Sequence, residues 1–398
     1  MRFAERITRL GTETAFAVSA EANELKARGR TVYPFHLGDM DLATPRTVVQ
    51  GAMEALRRGK TGYCPNGGIP ELREALAHDL NQTRGTGYTA DNVAVQPGGK
   101  PVISKFLLAT MNPGDEVLYP NPGFPIYESQ IEFLGGRAVP YGFIPSERGF
   151  QLDLEGMSQS VTPRTRLLIL NDMHNPTGAE CTPEELRAVA DLAVEHDLLV
   201  LADEAYFDIR FEGRSRSLAS CPGMEDRCLI LYTFSKRFAM TGWRLGAAIG
   251  PAELIQVITT LNVNQESCSS HFLQFGALAG LQGDQGDVQA ILETLRQRRD
   301  AAVDGLKAIP GIECHKPRST FYLYPRITPL LQALDMDAES FRQDLLQRTG
   351  VSVCGRHHFG RPGPDEDQAY LRLAYSGIDK AQIEQALEAL ADYVAGRT

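Results

Sequence analysis

The most constraining feature of the sequence is the alternation, through its middle, of short apolar runs with helical patterns. Residues 166–170, 198–202 and 228–232 are rich in Leu, Ile and Val, as expected for strands that are covered on both faces. Between the first two runs, residues 182–185 have the form of a capping box with Pro183 at the first helical position. Strands joined by helical crossovers predict a parallel sheet in an α/β fold.

Polar residues follow each of these strands. They are residues 175–178, Asp203 and residues 233–236. A further strand at residues 93–95 leads into residues 98–100, where two glycines at a strand-to-helix junction could present backbone N–H groups to a single phosphate. This segment lacks the spacing of a nucleotide P-loop. Because the carboxyl ends of parallel strands meet at one edge of a sheet, we expect a ligand site there.

Composition excludes several classes of function. The chain has 398 residues, with 40 Lys and Arg against 50 Asp and Glu, and a net charge of −10, which argues against broad binding of nucleic acid or of an anionic membrane. No apolar run approaches the roughly 18 residues that span a bilayer. Residues 1–10 are charged and contain no signal-peptide core. We therefore expect a cytoplasmic protein that binds neither nucleic acid nor membrane.

Lys236 and Asp203 indicate the chemistry of the predicted site. A lysine amine with a lowered pKa can attack a carbonyl and form a Schiff base. A carboxylate at the end of a buried strand needs a partner, and the protonated ring nitrogen of pyridoxal phosphate would provide one. Taken singly, Lys236 could face solvent and Asp203 could cap the next helix. As a pair, near phosphate-binding groups at Thr233, Ser235 and Arg244, they favour this cofactor.

The sequence also resembles a known family over nearly its whole length. The matching motifs are residues 37–45, Tyr63 with 67–73, 98–100, 175–178, 203–206, 235–236 with Arg244, 321–322 and 372–375. Their order and spacing are similar to those of the fold-type I pyridoxal-phosphate enzymes of the class I aminotransferase group. The bacterial aspartate and aromatic aminotransferases are the most similar subgroup.

The resemblance implies an α/β fold with a large, mostly parallel sheet domain and a smaller α+β domain. The length of the chain also exceeds what one core usually fills. We predict an N-terminal arm and part of the small domain in residues 1–45, the large cofactor-binding domain in 46–290, and the small C-terminal domain in 291–398.

The resemblance also implies roles for single residues. Lys236 would hold the cofactor as an internal aldimine and move the substrate proton through external aldimine and quinonoid intermediates. Asp203 would pair with the ring nitrogen, and Asn175 and Tyr206 would hydrogen-bond the ring oxygen. Phe124 would stack on the ring. The groups expected on the phosphate are Gly99, Lys100, Thr233, Ser235, Arg244 and, from the second subunit of a homodimer with shared active sites, Tyr63.

The implied activity is transfer of an amino group from an L-amino acid to a 2-oxo acid. Arg372 would bind the substrate α-carboxylate, assisted by Gly38 and Asn175. The same fold serves carbon–sulfur β-lyases and amino-acid cyclases or synthases, and it also occurs in non-catalytic cofactor-binding or regulatory proteins. The sequence leaves these alternatives open.

The sequence gives conflicting indications about the amino donor. Lys100 matches a position that meets the distal carboxylate of aspartate in some relatives, which favours acidic or aromatic donors. Glu13 lies in a segment whose counterpart reaches the partner's active site, and its carboxylate could attract a basic or specialised donor. His174, next to Asn175, could line the substrate pocket, but an ordinary hydrogen bond within its loop is the preferred interpretation.

Three further groups of residues have simple interpretations. We expect no metal at His357 and His358, because no third ligand has suitable spacing. The seven cysteines are scattered and form no CxxC pair, so they indicate neither a disulfide framework nor a zinc site. Arg296, Arg298 and Arg299 are predicted to form a solvent-exposed helix face.

Overall fold

The computed structural model describes residues 1–11, 15–363 and 366–397. Its strands are short, and most of them lie in the first two thirds of the chain. They are β1 (Tyr33–Pro34), β2 (Val93–Gln96), β3 (Glu116–Pro120), β4 (Arg137–Tyr141), β5 (Phe143–Ser146), β6 (Gly149–Leu152), β7 (Thr165–Asn171), β8 (Leu199–Asp203), β9 (Cys228–Thr233), β10 (Gly246–Ile249), β11 (Tyr322–Leu323), β12 (Val351–Ser352), β13 (Cys354–Gly355) and β14 (Leu371–Ala374).

Helices alternate with these strands and dominate the C-terminal third. They are α1 (Ala15–Ala27), α2 (Arg46–Arg57), α3 (Pro70–Arg84), α4 (Lys100–Thr110), α5 (Ile126–Phe133), α6 (Leu154–Gln159), α7 (Pro183–Glu195), α8 (Phe234–Arg237), α9 (Ala252–Gln265), α10 (His271–Gln282), α11 (Gly286–Lys307), α12 (Thr328–Leu334), α13 (Ala338–Thr349) and α14 (Lys380–Ala395). Within the described residues, no helix is both long and apolar enough to cross a membrane.

A seven-stranded sheet forms the centre of the molecule, with strand order β2-β10-β9-β8-β7-β3-β4. Strands β9, β8, β7, β3 and β4 pair in parallel, and β10 is antiparallel to both of its neighbours. Alternate residues of each strand belong to different cores: Leu168 and Leu170 of β7 face one core, and Leu167 and Ile169 face the other. Both faces are therefore covered, and the predicted mostly parallel sheet is confirmed.

The helices on this sheet begin where the sequence predicted. Thr182 caps α7 by accepting the N–H of Glu185, and the Glu185 side chain accepts the N–H of Thr182, which confirms the capping box. Leu186 and Val189 of α7 are buried in the sheet core. The described helix that follows β2 begins at Lys100, so Gly99 stands at its N-cap.

A separate apolar core joins α11, α13 and α14 to a small antiparallel sheet of order β11-β14-β13. The N-terminal segment adds β1, which pairs in parallel with β12 through Tyr33 and Val351. This smaller α+β part, combined with the large sheet, confirms the predicted fold class.

The prediction that three arginines of α11 share a solvent-exposed face is wrong for two of them. Arg296 is partly exposed and pairs with Glu293 and Asp300, but Arg298 and Arg299 are buried. Arg299 donates hydrogen bonds to Glu212 and to a backbone carbonyl. Arg298 donates to Asp41 and to the carbonyl of Ser376, so both arginines are buried because each finds acceptors on other segments of the chain.

Candidate active site

The polar residues at the strand ends surround one cavity of about 460 Å³. It lies at the carboxyl edge of the sheet, where β8 ends at Asp203 and β9 leads into the short helix α8 that carries Lys236. Twelve of the predicted site residues line it: Gly38, Gly99, Lys100, Phe124, Asn175, Asp203, Tyr206, Thr233, Ser235, Lys236, Arg244 and Arg372.

Of the other residues singled out in the sequence, one lies away from this cavity and one falls outside the described residues. Tyr63 is 87% exposed and does not line the cavity of its own chain. Glu13 lies outside the described residues.

Asp203 is a buried carboxylate held by uncharged donors. The hydroxyl of Tyr127 donates to its Oδ2 at 2.5 Å, and the N–H of Ala205 donates to Oδ1 at 3.1 Å. Burial raises the pKa of Asp203, while these two bonds and the positive charge of Lys236 act in the opposite direction. In the described part of the chain, no lysine or arginine comes within the 4.0 Å of an ion pair with it. A cationic partner from a ligand would complete its surroundings.

Lys236 reaches the same cavity from the other side. Its Nζ donates a hydrogen bond to the carbonyl oxygen of Gly38 at 2.7 Å and lies 5.2 Å from the centroid of the Phe321 ring. A side chain at Gly38 would collide with the hydroxyl of Tyr322, so this position accepts only glycine without rearrangement. The amine is thus directed towards the cavity by a backbone carbonyl.

The junction of β2 and α4 has donors that suit an anion. The first N–H groups of a helix have no carbonyl partner within the helix and bind anions well. Close by, the hydroxyl of Thr233 donates to Ser235 at 3.0 Å, and Arg244 donates to the carbonyl of Thr241 at 2.7 Å. Gly98 has φ +105°, and a Cβ there would collide with the guanidinium of Arg244. Gly98 therefore permits the arginine to lie against the loop.

Arg372 forms the opposite wall and is nearly fully buried. Its guanidinium donates to Asn175 Oδ1 at 3.3 Å and to the carbonyl of His36. Its rigid planar group lies 4.9 Å from the centroid of the Tyr322 ring and 4.8 Å from that of Phe359. Within the described residues, its buried Nε has no hydrogen-bond acceptor. This arrangement suits a carboxylate from a ligand.

Sequence reasoning missed several residues of the site. Tyr127, which donates to Asp203, lies one helical turn after Phe124, and its ring meets that of Phe124 edge to face at 5.7 Å. Asn171 stands opposite Asp203 in the β7–β8 register and donates to its backbone carbonyl. Tyr322, whose hydroxyl lies 2.7 Å from that of Tyr206, was noted only as part of a motif. The sequence offered one indication that Tyr127 belongs to the site, namely its position on the helix that follows Phe124.

His174 lies outside the cavity lining. Its Nδ1 is 2.8 Å from the hydroxyl of Thr177, and its ring stacks on Phe143. Burial lowers its pKa to about 3, so it is neutral. The preferred interpretation, an ordinary hydrogen bond within the loop, is confirmed. No group of His, Cys, Asp and Glu in the described ranges is arranged to hold a metal ion.

The residues present fit pyridoxal phosphate. Asp203 is buried and has no ion-pair partner among the residues that the structure describes, as a protonated ring nitrogen requires, and Lys236 brings an amine suited to an aldehyde. The start of α4, with two nearby hydroxyls and Arg244, fits a phosphate. Arg372 lines the same cavity and its Nε has no acceptor among the described residues, which suits a second anion.

Comparison with known proteins supports this interpretation of the site. The sequence matches the family described as "Aminotransferase class I and II" over residues 30–390. It is 35% identical over 386 residues to a probable aspartate/prephenate aminotransferase of Aquifex aeolicus, with 96% of each chain covered. It is 34% identical over 397 residues to an aspartate aminotransferase of Musicola paradisiaca, and the match covers 98% of this chain and 97% of the relative.

A solved structure extends the agreement to the fold. The aspartate aminotransferase from Thermus thermophilus with maleate matches with a TM-score of 0.90 and 33% identity, over 98% of this chain and all of the other. The resemblance to the bacterial aspartate subgroup is confirmed. The chain belongs to the class I and II aminotransferase family, and it is an enzyme that transfers amino groups with pyridoxal phosphate.

Proposed function

We propose that the enzyme takes the amino group from an acidic L-amino acid such as aspartate, with aromatic L-amino acids as a second class of donor. The observation that carries this proposal is that two cationic side chains, Arg372 and Lys100, line the same cavity. Two cations suit the two carboxylates of an acidic donor. The rings of Phe16 and Phe124, which line the cavity beside Lys100, support the aromatic alternative.

The cofactor contacts are proposed from position and chemistry. Asp203 would pair with the ring nitrogen, Asn175 and Tyr206 would hydrogen-bond the ring oxygen, and Phe124 would stack on the ring. The start of α4 at Gly99 and Lys100 would hold the phosphate, together with the side chains of Thr233, Ser235 and Arg244. The burial of Asp203 and its hydrogen bond from Tyr127 support the first of these roles, because both fix the carboxylate in place.

When bound, pyridoxal phosphate supplies an aldehyde that takes up the amino group and a ring that withdraws electrons from the substrate α-carbon. Lys236 Nζ takes the proton from that carbon and later returns a proton as a general acid. The Gly38 carbonyl, 2.7 Å from Nζ, directs the amine. Asp203 holds the proton on the ring nitrogen that makes the electron withdrawal effective.

The α-carboxylate of the substrate binds Arg372. The hydrogen bond from Arg372 to Asn175 Oδ1 orients the guanidinium, and within the described residues its buried Nε has no acceptor. The backbone of Gly38 completes this subsite. A bidentate fork fixes the orientation of the amino acid, so the α-hydrogen faces Lys236.

We propose a homodimer in which Tyr63 of each subunit contributes to the phosphate site of the other. The 87% exposure of Tyr63 supports this, because no role within its own chain accounts for it. Exposed apolar side chains on α2 and α9, among them Met53, Leu56 and Val263, support burial against a second copy. The domain limits 1–45, 46–290 and 291–398 and a cytoplasmic location stay predictions. Most residues of the C-terminal core lie beyond residue 290, which supports the last of these domains.

The reaction is tested by adding single L-amino acids to the holoenzyme without any 2-oxo acid. Aspartate is expected to remove the visible absorbance of the bound cofactor and to yield oxaloacetate, identified by mass spectrometry. Lys236→Ala is expected to abolish this change. Persistent colour with accumulation of pyruvate and ammonia would instead identify a lyase.

The donor class is tested with Lys100→Gln. Loss of the cation is expected to raise the KM for aspartate about tenfold and to leave the KM for phenylalanine within about twofold. Lys60→Gln is the control, because Lys60 also lies beside an aromatic ring but outside the cavity. Equal KM values for aspartate in the two variants, or a preference for lysine as donor, would contradict an acidic donor.

A further inference from the structure

The two halves of the proposed carboxylate subsite come from opposite ends of the chain. Gly38 lies in a loop before α2, and Arg372 lies on β14. Neither element follows the other in sequence, so bonds between them fix their distance. Arg372 donates to the carbonyl of His36, and the N–H of Ala374 donates to the carbonyl of Phe35. Arg298 of α11, one of the arginines whose exposure was wrongly predicted, adds a further link, because it contacts Asp41 in the Gly38 loop and Ser376 just after β14.

Arg298 forms a bidentate ion pair with Asp41 of the Gly38 loop. Its guanidinium donates to Asp41 Oδ1 at 2.7 Å and to Asp41 Oδ2 at 3.2 Å. Such a fork fixes orientation as well as distance. Arg298 is only 4% exposed, so its contacts hold it in one place.

The same guanidinium holds the segment that follows Arg372. It donates to the carbonyl of Ser376 at 2.8 Å, four residues beyond Arg372. The hydroxyl of Ser376 in turn donates to the carbonyl of Asp39 at 2.5 Å. Side-chain bonds from Arg298 and from Ser376 therefore join the Gly38 loop to the segment that follows β14.

The Gly38 loop also contacts the amine of Lys236. Gly38 precedes Asp39 and accepts the hydrogen bond from Lys236 Nζ. A shift of the loop would move the Gly38 carbonyl relative to both Lys236 and Arg372. The position of this one loop thus affects the substrate carboxylate and the amine that removes the α-proton.

We propose that Arg298 is a positioning residue for the carboxylate subsite: through Asp41 and Ser376 it holds the Gly38 loop at a fixed distance from Arg372. The proposal rests on the proposed function, which assigns Gly38 and Arg372 to the substrate α-carboxylate. It predicts that weakening the Arg298–Asp41 pair loosens substrate binding while the cofactor site, built on β8, β9 and α4, is unaffected.

The test compares four variants of the holoenzyme. Asp41→Asn removes the charge of the partly exposed partner and leaves the bond from Arg298 to Ser376. Arg298→Gln removes both contacts. Arg296→Gln is the matched control, because Arg296 lies on the same helix in a surface ion pair. Arg372→Lys tests the proposed subsite itself. The measurements are the Kd for maleate by calorimetry, the KM and kcat for aspartate, the Kd for pyridoxal phosphate and the melting temperature.

We expect Asp41→Asn to raise the maleate Kd and the aspartate KM about tenfold, with pyridoxal phosphate binding within about threefold of the parent enzyme. The kcat is expected to fall as well, because the same loop directs the Lys236 amine. Arg298→Gln is expected to have a larger effect, and Arg296→Gln none. If Arg298→Gln does not fold, Asp41→Asn decides the question.

Two results would overturn the inference alone. One is an unchanged maleate Kd in Asp41→Asn while Arg372→Lys raises it. The other is a parallel loss of maleate binding, cofactor binding and melting temperature, which would show a general structural role. An unchanged maleate Kd in Arg372→Lys would reject the proposed subsite, and the inference with it.

Discussion

At the scale of single residues, the partners of a buried carboxylate decide what it can do. Asp203 and Asp172 both lie at the edge of the central sheet and both are buried. Asp203 faces the cavity and Lys236, so it can serve a cationic ligand. Asp172 accepts the N–H groups of Met173 and Cys181 and thereby closes the loop that carries Asn175, without a cation nearby in the described residues.

Asp172 should make stability depend on pH. Burial raises its pKa to about 7 from an ordinary 3.8, with a contribution from the charge of Glu180 and opposition from the N–H groups that it accepts. The folded state then retains a proton that the unfolded state releases, so stability falls as pH rises from about 4 to about 7. Asp172→Asn removes this pH-dependent loss of stability. The melting temperature of the variant, relative to the parent, is expected to be at least about 3 °C higher at pH 8 than at pH 5.

Asp191→Asn provides the control, since Asp191 is exposed on α7 in a surface ion pair with Arg187. Its effect on the melting temperature should be small and similar at both pH values. Equal pH dependence in the parent and in Asp172→Asn would show that Asp172 does not titrate in this range.

At the scale of secondary structure, local patterns predicted the elements well. The runs at β7, β8 and β9 and the capping box of α7 are local features, and the polar residues after each strand do line one cavity. The contacts of Tyr127 and Arg298 were missed because their partners, Asp203 and Asp41, lie 76 and 257 residues away. Periodicity places a side chain on a face of its helix, but it does not tell which distant residue will cover that face.

The junction of β2 and α4 gives a prediction for an element. Gly98→Ala would require a side chain at φ +105° and would push a methyl group into the Arg244 guanidinium. We expect the Kd for pyridoxal phosphate, measured by absorbance titration, to rise at least about tenfold. Gly114→Ala is the control, because Gly114 has φ +91° with open space around it. Both variants should lose about 1 kcal/mol or more of stability from backbone strain, but only the first should lose cofactor. Equal cofactor affinities would exclude a phosphate cradle there.

At the scale of the whole molecule, the site is built from segments far apart in the chain, and we propose that it includes a second subunit. Within one chain, the cavity gathers residues from Ala15 to Arg372. Tyr63 stands apart, exposed on the surface, although the family resemblance assigns it to the phosphate. A shared site explains both facts, because a residue that serves the partner must project from its own subunit.

Hybrid dimers test this arrangement directly. Lys236→Ala removes the catalytic amine, and Tyr63→Phe removes a hydroxyl proposed to reach the other subunit's phosphate. In a hybrid of these two variants, one site combines Lys236 of the second chain with Tyr63 of the first and is intact, while the other site carries both defects. Random reassociation makes about half of the dimers hybrids, so about a quarter of the parent activity should return. If Tyr63 served its own subunit, no site in the hybrid would be intact, and mixing would give only the average of the two variants. Refolding the parent enzyme under the same conditions provides the reference activity.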